Sequence, residues 1–382
     1  MKHFPQKLNL KLEARQEKNT LRNLSIPSSN IDFSSNDYLG FAHSKIIFDR
    51  AHHDLIQNNN SQNGATGSRL LSGNHSLYDA TETLLANYHR TEAALLFNSG
   101  YDANLGVFSS ILQREDTILY DEFIHASIRD GIRLSNAKNY KFSHNDLDDL
   151  RRKLDKFIAP NQEVYVVTES VFSMDGDSPD ITELFKVCNN KKAHLIIDEA
   201  HAVGVFGPHG NGLLSDPGTE NTVFARIITF GKALGCHGAA VLGSEALKNY
   251  LINFARSFIY TTGLPPHSLA TIQSAYQELK QNTESRITLQ RNIAFFNQEI
   301  QKLKQEHLFI PSNSAIHCAV IPGNARVKKI ALQFQNKGFD IKPILSPTVP
   351  EGQERIRFCL HSYNSFQEIT DVLSLLTIFV TQ

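Results

Sequence analysis

The chain has 382 residues, of which 41% are hydrophobic, and 38 basic residues balance 39 acidic ones. This length accommodates one large domain and a smaller one. The near-zero net charge argues against a nucleic-acid-binding or membrane-surface protein, because both rely on an excess of Lys and Arg. No apolar segment could span a bilayer and residues 1–9 do not resemble a secretory signal, so we expect a cytoplasmic protein. The four cysteines match neither a zinc pattern nor a disulfide framework, and we expect no metal site.

Strand-like and helix-like segments alternate through most of the chain. A charged helical segment is predicted over 8–24, followed by a polar lead-in. The predicted strands are mostly unbroken apolar runs, which is typical of strands buried on both faces of a parallel sheet. They lie at 93–97, 117–120, 140–142, 164–168, 194–197, 226–229 and 239–242, and helices are predicted at 76–89, 104–112, 147–157 and 181–189. This alternation indicates an α/β domain with a mainly parallel central sheet.

The C-terminal part has a different pattern. Strands are predicted at 315–321, 339–344 and 355–360, and helices at 325–337 and 365–379, with Gly338 at the position of a helix stop. These elements indicate a small α+β domain. We therefore predict an N-terminal helix and lead-in at 1–40, a large domain at 41–289 and a small C-terminal domain at 290–382.

Two polar residues at the ends of predicted strands suggest a specific chemistry. Lys232 follows one apolar strand and lies between Gly231 and Gly235, and Asp198 ends another strand, 34 residues earlier. A pyridoxal 5'-phosphate (PLP) enzyme needs a lysine that forms a Schiff base with the cofactor and an acid that keeps its pyridine nitrogen protonated. The same Asp-Glu-Ala-His sequence occurs in helicases, but the P-loop that they require is missing from this chain.

Further residues fit such a site. Ser99-Gly100-Tyr101 follows a predicted strand and precedes a predicted helix, and the N–H groups of a helix start bind phosphate. The hydroxyl group of Thr229 could donate a hydrogen bond to the same phosphate. His125 lies just past another strand end, where α/β enzymes place functional side chains. Taken alone, Ser99-Gly100 is more often an ordinary turn, and a single histidine is more often a surface or core residue.

Seven motifs in order resemble the α-oxoamine synthases, which are PLP enzymes of fold type I, the aspartate aminotransferase fold. The resemblance extends from about residue 8 to the end of the chain. The motifs are 33–40 (Phe-Ser-Ser-Asn-Asp-Tyr-Leu-Gly), 67–69 (Gly-Ser-Arg), 99–101 (Ser-Gly-Tyr), 125–127 (His-Ala-Ser), 168–177 (Thr-Glu-Ser-Val-Phe-Ser-Met-Asp-Gly-Asp), 198–201 (Asp-Glu-Ala-His) and 229–232 (Thr-Phe-Gly-Lys).

The resemblance implies a role for each matching residue. Lys232 would bind the cofactor and move protons, Asp198 would pair with the pyridine nitrogen, and His201 would bond the phenolic oxygen. The other cofactor contacts implied are His125 on the ring face, Ser173 at the ring edge, and Gly100, Tyr101 and Thr229 near the phosphate. The substrate contacts implied are Asn36 and Arg357 at the amino-acid carboxylate, and Arg22, in the N-terminal helix, with Thr348 at the acyl group, while His125 also faces the substrate.

Residues 33–38 and 258–266 most resemble the 8-amino-7-oxononanoate synthases of biotin synthesis. These enzymes condense L-alanine with a pimeloyl thioester of CoA or of acyl carrier protein. Sister enzymes that use glycine or serine share the same core, so membership of one of these groups stays open. An aminotransferase or a non-catalytic PLP-binding protein would also carry a cofactor site of this kind. The resemblance further implies a homodimer, with residues 67–68 and 261–262 reaching across the subunit boundary.

Overall fold

The computed structural model describes residues 4–22, 24, 29–158, 162–214 and 223–381. Its helices are α1 (Gln6–Glu17), α2 (Lys45–Gln57), α3 (Ser76–His89), α4 (Gly100–Ile111), α5 (Ala126–Leu134), α6 (Leu147–Phe157), α7 (Ile181–Asn190), α8 (Glu245–Phe254), α9 (Arg256–Ile259), α10 (Pro266–Gln281), α11 (Glu284–Lys302), α12 (Asn324–Asn336) and α13 (Phe366–Thr381). Its strands are β1 (Ile31–Asp32), β2 (Ala93–Phe97), β3 (Thr117–Asp121), β4 (Lys138–Phe142), β5 (Val164–Glu169), β6 (His194–Asp198), β7 (Ala225–Thr229), β8 (Ala239–Gly243), β9 (Ile316–Val320), β10 (Phe339–Asp340), β11 (Lys342–Ile344) and β12 (Arg355–Cys359).

The described residues fall into two compact units. We call the one within 36–173 and 177–290 the central unit, and the one within 1–35, 174–176 and 291–382 the terminal unit. Each is described by itself.

A seven-stranded sheet in the order β2-β8-β7-β6-β5-β3-β4 forms the middle of the central unit. Every neighbouring pair of strands is parallel except the two pairs made by β8, which runs antiparallel to both β2 and β7. The predicted α/β fold with a mainly parallel sheet is therefore confirmed. Since β2, β3, β5, β6 and β7 run in the same direction, their carboxyl ends meet at one edge of the sheet.

Both faces of this sheet are covered by helices, which explains why its strands are apolar without alternation. Successive residues of a strand point to opposite faces. Ile196 packs into the apolar cluster that includes α4, α5 and α8, while its neighbour Ile197 packs into the cluster on the other face with α6 and α7. Ile118 and Leu119 of β3 likewise pack into the clusters on opposite faces of the sheet. All four side chains are fully buried.

The terminal unit contains a three-stranded antiparallel sheet, β11-β12-β9, and a two-stranded parallel sheet, β1-β10. The helix α12 buries Val327, Ile330, Ala331 and Phe334, the apolar face that helical spacing predicts. Gly338 follows this helix with φ of +86°, a backbone conformation that glycine adopts without steric cost.

The N-terminal helix α1 is shorter than predicted. It ends at Glu17, where Asn19 takes a left-handed conformation (φ +56°) and donates its N–H to Gln16 O, while Thr20 N–H donates to Arg15 O. These two bonds form the Schellman helix stop, in which asparagine is a common substitute for glycine. The placement of Arg22 in this helix was therefore wrong, since Arg22 lies beyond its end and is exposed.

In the central unit, His144 bridges two carboxylates. Its Nδ1 lies 2.9 Å from Asp121 Oδ1 and its Nε2 lies 2.8 Å from Asp177 Oδ2, and Asp121 is fully buried. Burial alone would lower the pKa of His144, but the hydrogen bonds and charges of the two aspartates outweigh it and raise this pKa to about 9. The imidazole is therefore charged in the folded protein at neutral pH.

This ion triad predicts a pH-dependent contribution to stability. The pKa of His144 rises on folding, so the stabilisation is complete below the unfolded value and is lost as the pH rises through 9. We expect the free energy of unfolding of the wild type to exceed that of His144→Gln by up to about 3 kcal/mol at pH 6, and this difference to shrink by pH 10. Urea titrations at several pH values measure it. The exposed substitution His53→Gln should change little, and an equal His144→Gln deficit at pH 6 and pH 10 would contradict the prediction.

Candidate active site

A cavity of about 280 Å³ opens at the edge of the sheet where the parallel strands end. Its volume is close to the lower end of the range of small-molecule pockets, roughly 300–1,000 Å³. Eight of the residues predicted for the site line it: Asn36, Gly100, Tyr101, His125, Asp198, His201, Thr229 and Lys232. The strand ends therefore bring together residues that are up to 196 positions apart in the chain.

Lys232 lies in the connection between β7 and β8. Gly235 closes the turn with φ of +61°, and its N–H donates to Lys232 O at 2.8 Å. A Cβ atom on Gly235 would lie 2.1 Å from Ala42 N, so the backbone approaches too closely for any other residue. The glycine beyond the lysine is thus required by packing, and it holds the amine-bearing loop at the cavity.

Asp198 ends β6 and is buried in the cavity wall. Its Oδ1 accepts a hydrogen bond from Ala200 N–H at 2.9 Å, and its Oδ2 accepts one from Asn104 Nδ2 at 3.0 Å. These two hydrogen bonds hold the side chain in place. A fixed, buried negative charge is what a protonated pyridine nitrogen requires as its partner.

His125 caps the start of α5 and is held by Glu169, the last residue of β5. The His125 N–H donates to Glu169 Oε1 at 2.6 Å. Strand pairing places Glu169 beside Asp198, and burial together with the charge of Asp198 raises the pKa of Glu169. Burial also lowers the pKa of His125, and the Lys232 cation adds to this effect, whereas Asp198 opposes it. The geometry favours a neutral imidazole on the cavity wall.

The helix α4 begins four residues earlier than predicted, at Gly100, because Ser99 caps it by accepting a hydrogen bond from Asp102 N–H. The first helical N–H groups therefore lie at the cavity. A Cβ on Gly100 would come within 2.6 Å of Thr229 Cγ2, so glycine keeps the helix start close to the Thr229 side chain. Together they form the cradle of N–H groups and a hydroxyl that a phosphate group needs.

His201 is oriented by the residue Tyr38 from another segment of the central unit. The Tyr38 hydroxyl lies 2.7 Å from His201 Nδ1 and donates to Asn36 Oδ1 at 3.0 Å. Since a hydroxyl has one hydrogen, His201 Nδ1 is the donor in the first of these bonds. The contact sets the tautomer and the direction of the His201 ring.

Four of the predicted residues do not line this cavity. Ser173 belongs to the central unit and is half-buried. Arg22, Thr348 and Arg357 belong to the terminal unit, where Arg22 and Thr348 are exposed and Arg357 is buried on β12. Their predicted contacts with cofactor and substrate stay predictions.

The residues that line the cavity fit PLP. Lys232 supplies an amine, Asp198 a buried carboxylate, and His125 an imidazole in the cavity wall, while Gly100 and Thr229 form an anion cradle. Three functional groups of the cofactor, namely its aldehyde, its pyridine nitrogen and its phosphate, thus have chemically suitable counterparts.

Comparison with known proteins agrees with this chemistry. Residues 28–373 match the family model of class I and II aminotransferases. The 8-amino-7-oxononanoate synthase of Emericella nidulans is 40% identical over an alignment of 389 positions, which covers 95% of this chain and 92% of that protein. The chain belongs to the α-oxoamine synthase family.

Two solved structures resemble this chain over most of its length. The 8-amino-7-oxononanoate synthase from Francisella tularensis is 29% identical, with a TM-score of 0.77, and the match covers 92% of this chain and 98% of that one. The serine palmitoyltransferase of Sphingomonas wittichii is 26% identical, with a TM-score of 0.87 and coverage of 98% and 96%. The present chain, called the synthase below, is a PLP-dependent acyltransferase with fold type I, similar to the 8-amino-7-oxononanoate synthases. Within the described part of its chain, none of the helices has the length and apolar character needed to cross a membrane.

Three residues of the site had no predicted role: Asn104, which lies in no motif, and Ser127 and Glu169, which lie within the motifs 125–127 and 168–177. Glu169 and Asn104 line the cavity although both are almost completely buried. A sequence signal existed for Asn104, because it shares the helical face of the buried residues Val107 and Phe108 of α4. A polar residue on an apolar helix face needs a partner, and this one has its partners at the active site.

Proposed function

We propose that the synthase condenses L-alanine with a pimeloyl thioester to give 8-amino-7-oxononanoate, carbon dioxide and the free thiol carrier, as a step of biotin synthesis. The observation that carries the proposal is the 40% identity, over nearly the whole chain, to a protein named for this activity. The convergence of Lys232, Asp198 and His125 on one cavity supports it chemically.

The reaction breaks three bonds of the substrates and forms two new bonds at Cα. The Cα–H bond of alanine breaks, a bond forms between Cα and the thioester carbonyl carbon, and the C–S bond breaks as the thiol leaves. The bond between Cα and the carboxylate then breaks to release carbon dioxide, and Cα receives a proton. When bound, PLP supplies the electron sink that stabilises negative charge at Cα. The protein must therefore remove one proton, return one, and keep the carbanion away from water.

Three side chains of the cavity would carry out these tasks and keep the cofactor protonated. The Lys232 amine is the group that would take the Cα proton and later return a proton to the same carbon. The buried Asp198 carboxylate would hold the proton on the pyridine nitrogen, and the ring of His125 would cover the reacting face. Orientation of the reacting atoms by these side chains, rather than strong binding of the substrates, would lower the barrier.

The test is to incubate the PLP-loaded protein with pimeloyl-CoA and, separately, with L-alanine, glycine or L-serine. Released thiol is measured by colour reaction and the amino ketone by mass spectrometry. The third product, carbon dioxide, is measured as the label released from carboxyl-labelled amino acid. We expect equal amounts of the three products with L-alanine, and a kcat/KM at least tenfold lower with glycine or serine.

A sister activity would give a different result. Preference for glycine or serine with another acyl-CoA would make the protein a sister enzyme and overturn the proposal. Acyl carrier protein loaded with the same acyl group, compared with the CoA thioester, would identify the carrier. The homodimer stays a prediction that analytical ultracentrifugation would test.

A further inference from the structure

A chain of hydrogen bonds connects two side chains of the active site. Asn104 Nδ2 donates to Asp198 Oδ2 at 3.0 Å and also to Ser127 Oγ at 3.0 Å. Ser127 Oγ in turn lies 2.7 Å from His125 Nδ1. The carboxylate proposed to face the pyridine nitrogen is thus linked, through two intervening side chains, to the imidazole proposed to cover the ring.

The protons of this chain have one consistent arrangement. A carboxylate can only accept, so the Asn104 side chain must turn its NH₂ group toward Asp198. The second hydrogen of that group then points to Ser127 Oγ, and the Ser127 hydroxyl donates its own hydrogen to His125 Nδ1. The Ser127 N–H also donates to this nitrogen, at 3.2 Å. His125 Nδ1 therefore carries no hydrogen, and the hydrogen of the neutral ring is on Nε2.

The setting of the two intervening residues leaves them little freedom. Asn104 is 2% exposed and Ser127 is completely buried, on the closely packed helices α4 and α5. Gly131 makes this close packing possible, because a Cβ at that position would lie 2.9 Å from Asn104 O. Among the described residues, Asn104 Oδ1 has no hydrogen-bond partner. A buried amide with one unsatisfied atom is costly, so its two donated bonds are the reason for its position.

We propose that Asn104 and Ser127 are positioning residues of the synthase, which hold His125 as the neutral tautomer with its hydrogen on Nε2. The inference rests on the proposed roles of Asp198 and His125. A ring in this state can cover the cofactor and donate from Nε2 to a substrate carboxylate. It does so without adding a second cation beside Lys232.

Four ionisable groups face His125. Asp198 of β6 and Asp130 of α5 favour a charged ring, whereas Lys232 opposes it, and Glu169 of β5 accepts the His125 N–H. Burial and Lys232 lower the pKa of His125 in agreement with the neutral form. The Ser127 hydroxyl donates a hydrogen bond that only an unprotonated His125 Nδ1 can accept.

The test is nitrogen NMR of the full-length chain labelled with ¹⁵N-histidine, recorded with and without PLP. The His125 signals are assigned by their loss in His125→Asn. In the wild type we expect an unprotonated Nδ1 and a protonated Nε2. Ser127→Ala removes the hydroxyl donor and should raise the pKa of His125 and populate the other tautomer. Asn104→Asp turns the hydroxyl toward the new carboxylate, so Nδ1 should gain a hydrogen.

Ser109→Ala is the matched control, because Ser109 is a half-buried serine of α4 whose hydroxyl bonds to Leu105 O, outside the chain of bonds. It should leave both the His125 signals and turnover unchanged. Circular dichroism would verify that each variant is folded. Unchanged His125 signals in folded Ser127→Ala, or a protonated Nδ1 in the wild type, would overturn the proposal. Because the NMR readout needs no substrate, it stands apart from the choice of amino acid and acyl group.

Discussion

Replacement of Lys232 by alanine should reduce the formation of amino ketone by about 10³-fold or more, because proton transfer by a positioned side chain contributes roughly 10²–10⁴-fold. The variant also loses the amine that would bind the cofactor covalently. The cavity keeps Asp198, His125 and the cradle around Gly100, so PLP should still bind, though less tightly. Thiol release and mass spectrometry of the product measure turnover, and equilibrium dialysis measures the bound cofactor.

Lys232→Arg separates the role of the amine from that of its charge, and Lys186→Ala is the matched control. Lys232→Arg keeps a cation, but a guanidinium does not give up its proton at neutral pH, so this variant should be as inactive as alanine. Lys186→Ala removes an exposed lysine of α7 and should leave turnover unchanged. Addition of a small primary amine should restore part of the activity of Lys232→Ala. Turnover of Lys232→Ala within tenfold of the wild type would remove Lys232 from the reaction.

Replacement of Arg226 by methionine should destabilise the protein by about 3–5 kcal/mol, the usual cost of leaving one partner of a buried ion pair alone. Arg226 is 1% exposed and Glu199 is completely buried. The guanidinium donates to Glu199 Oε2 from Nε at 2.9 Å, and to the carbonyl oxygens of Asn211 and His89. In the variant, the N–H groups of Leu213 and Leu214 would still donate to Glu199 Oε1, whereas Glu199 Oε2 would lose the guanidinium.

Urea unfolding followed by circular dichroism measures this loss. Lys45→Ala is a suitable control, since its ion pair with Asp49 lies on the surface and exposed pairs contribute about 0–1 kcal/mol. The double variant Arg226→Met/Glu199→Leu should be more stable than Arg226→Met alone, because it leaves no buried charge without its partner. A loss below 1 kcal/mol in Arg226→Met would contradict this account of the pair.

The ion pair also connects stability with function. Glu199 directly follows Asp198, and its N–H donates to Ile227 O of β7. Its side chain holds the segment around Leu213 and Leu214 through hydrogen bonds. The four-letter motif at 198–201 therefore combines an acid that faces the cavity with an acid that faces the core. The sequence predicted a role for the first acid, at the end of a strand, but nothing in it predicted the buried pair of the second with Arg226.

Local sequence patterns predicted the elements around the site well where the pattern was strong. The bounds of α3 and α6 agree with the predicted 76–89 and 147–157. The start of α4 was missed because a glycine after a strand favours a turn, whereas the Ser99 cap makes Gly100 the first helical residue. The end of α1 was missed because no apolar face marks it, and all its described side chains are exposed. Helix ends depend on a few hydrogen bonds, which periodicity does not report.

The sequence by itself determined the α/β fold, the PLP cofactor and the family, and it predicted the roles of Lys232 and Asp198. The fold follows because buried parallel strands require apolar runs, whereas the family follows from the resemblance of seven motifs in order. Only the tertiary structure decided the linkage from Asp198 through Asn104 and Ser127 to His125. That linkage depends on how closely α4 packs on α5 and on where β6 lies beneath them. Distances of a few ångströms between segments remote in the chain are set by packing, and no local pattern encodes them.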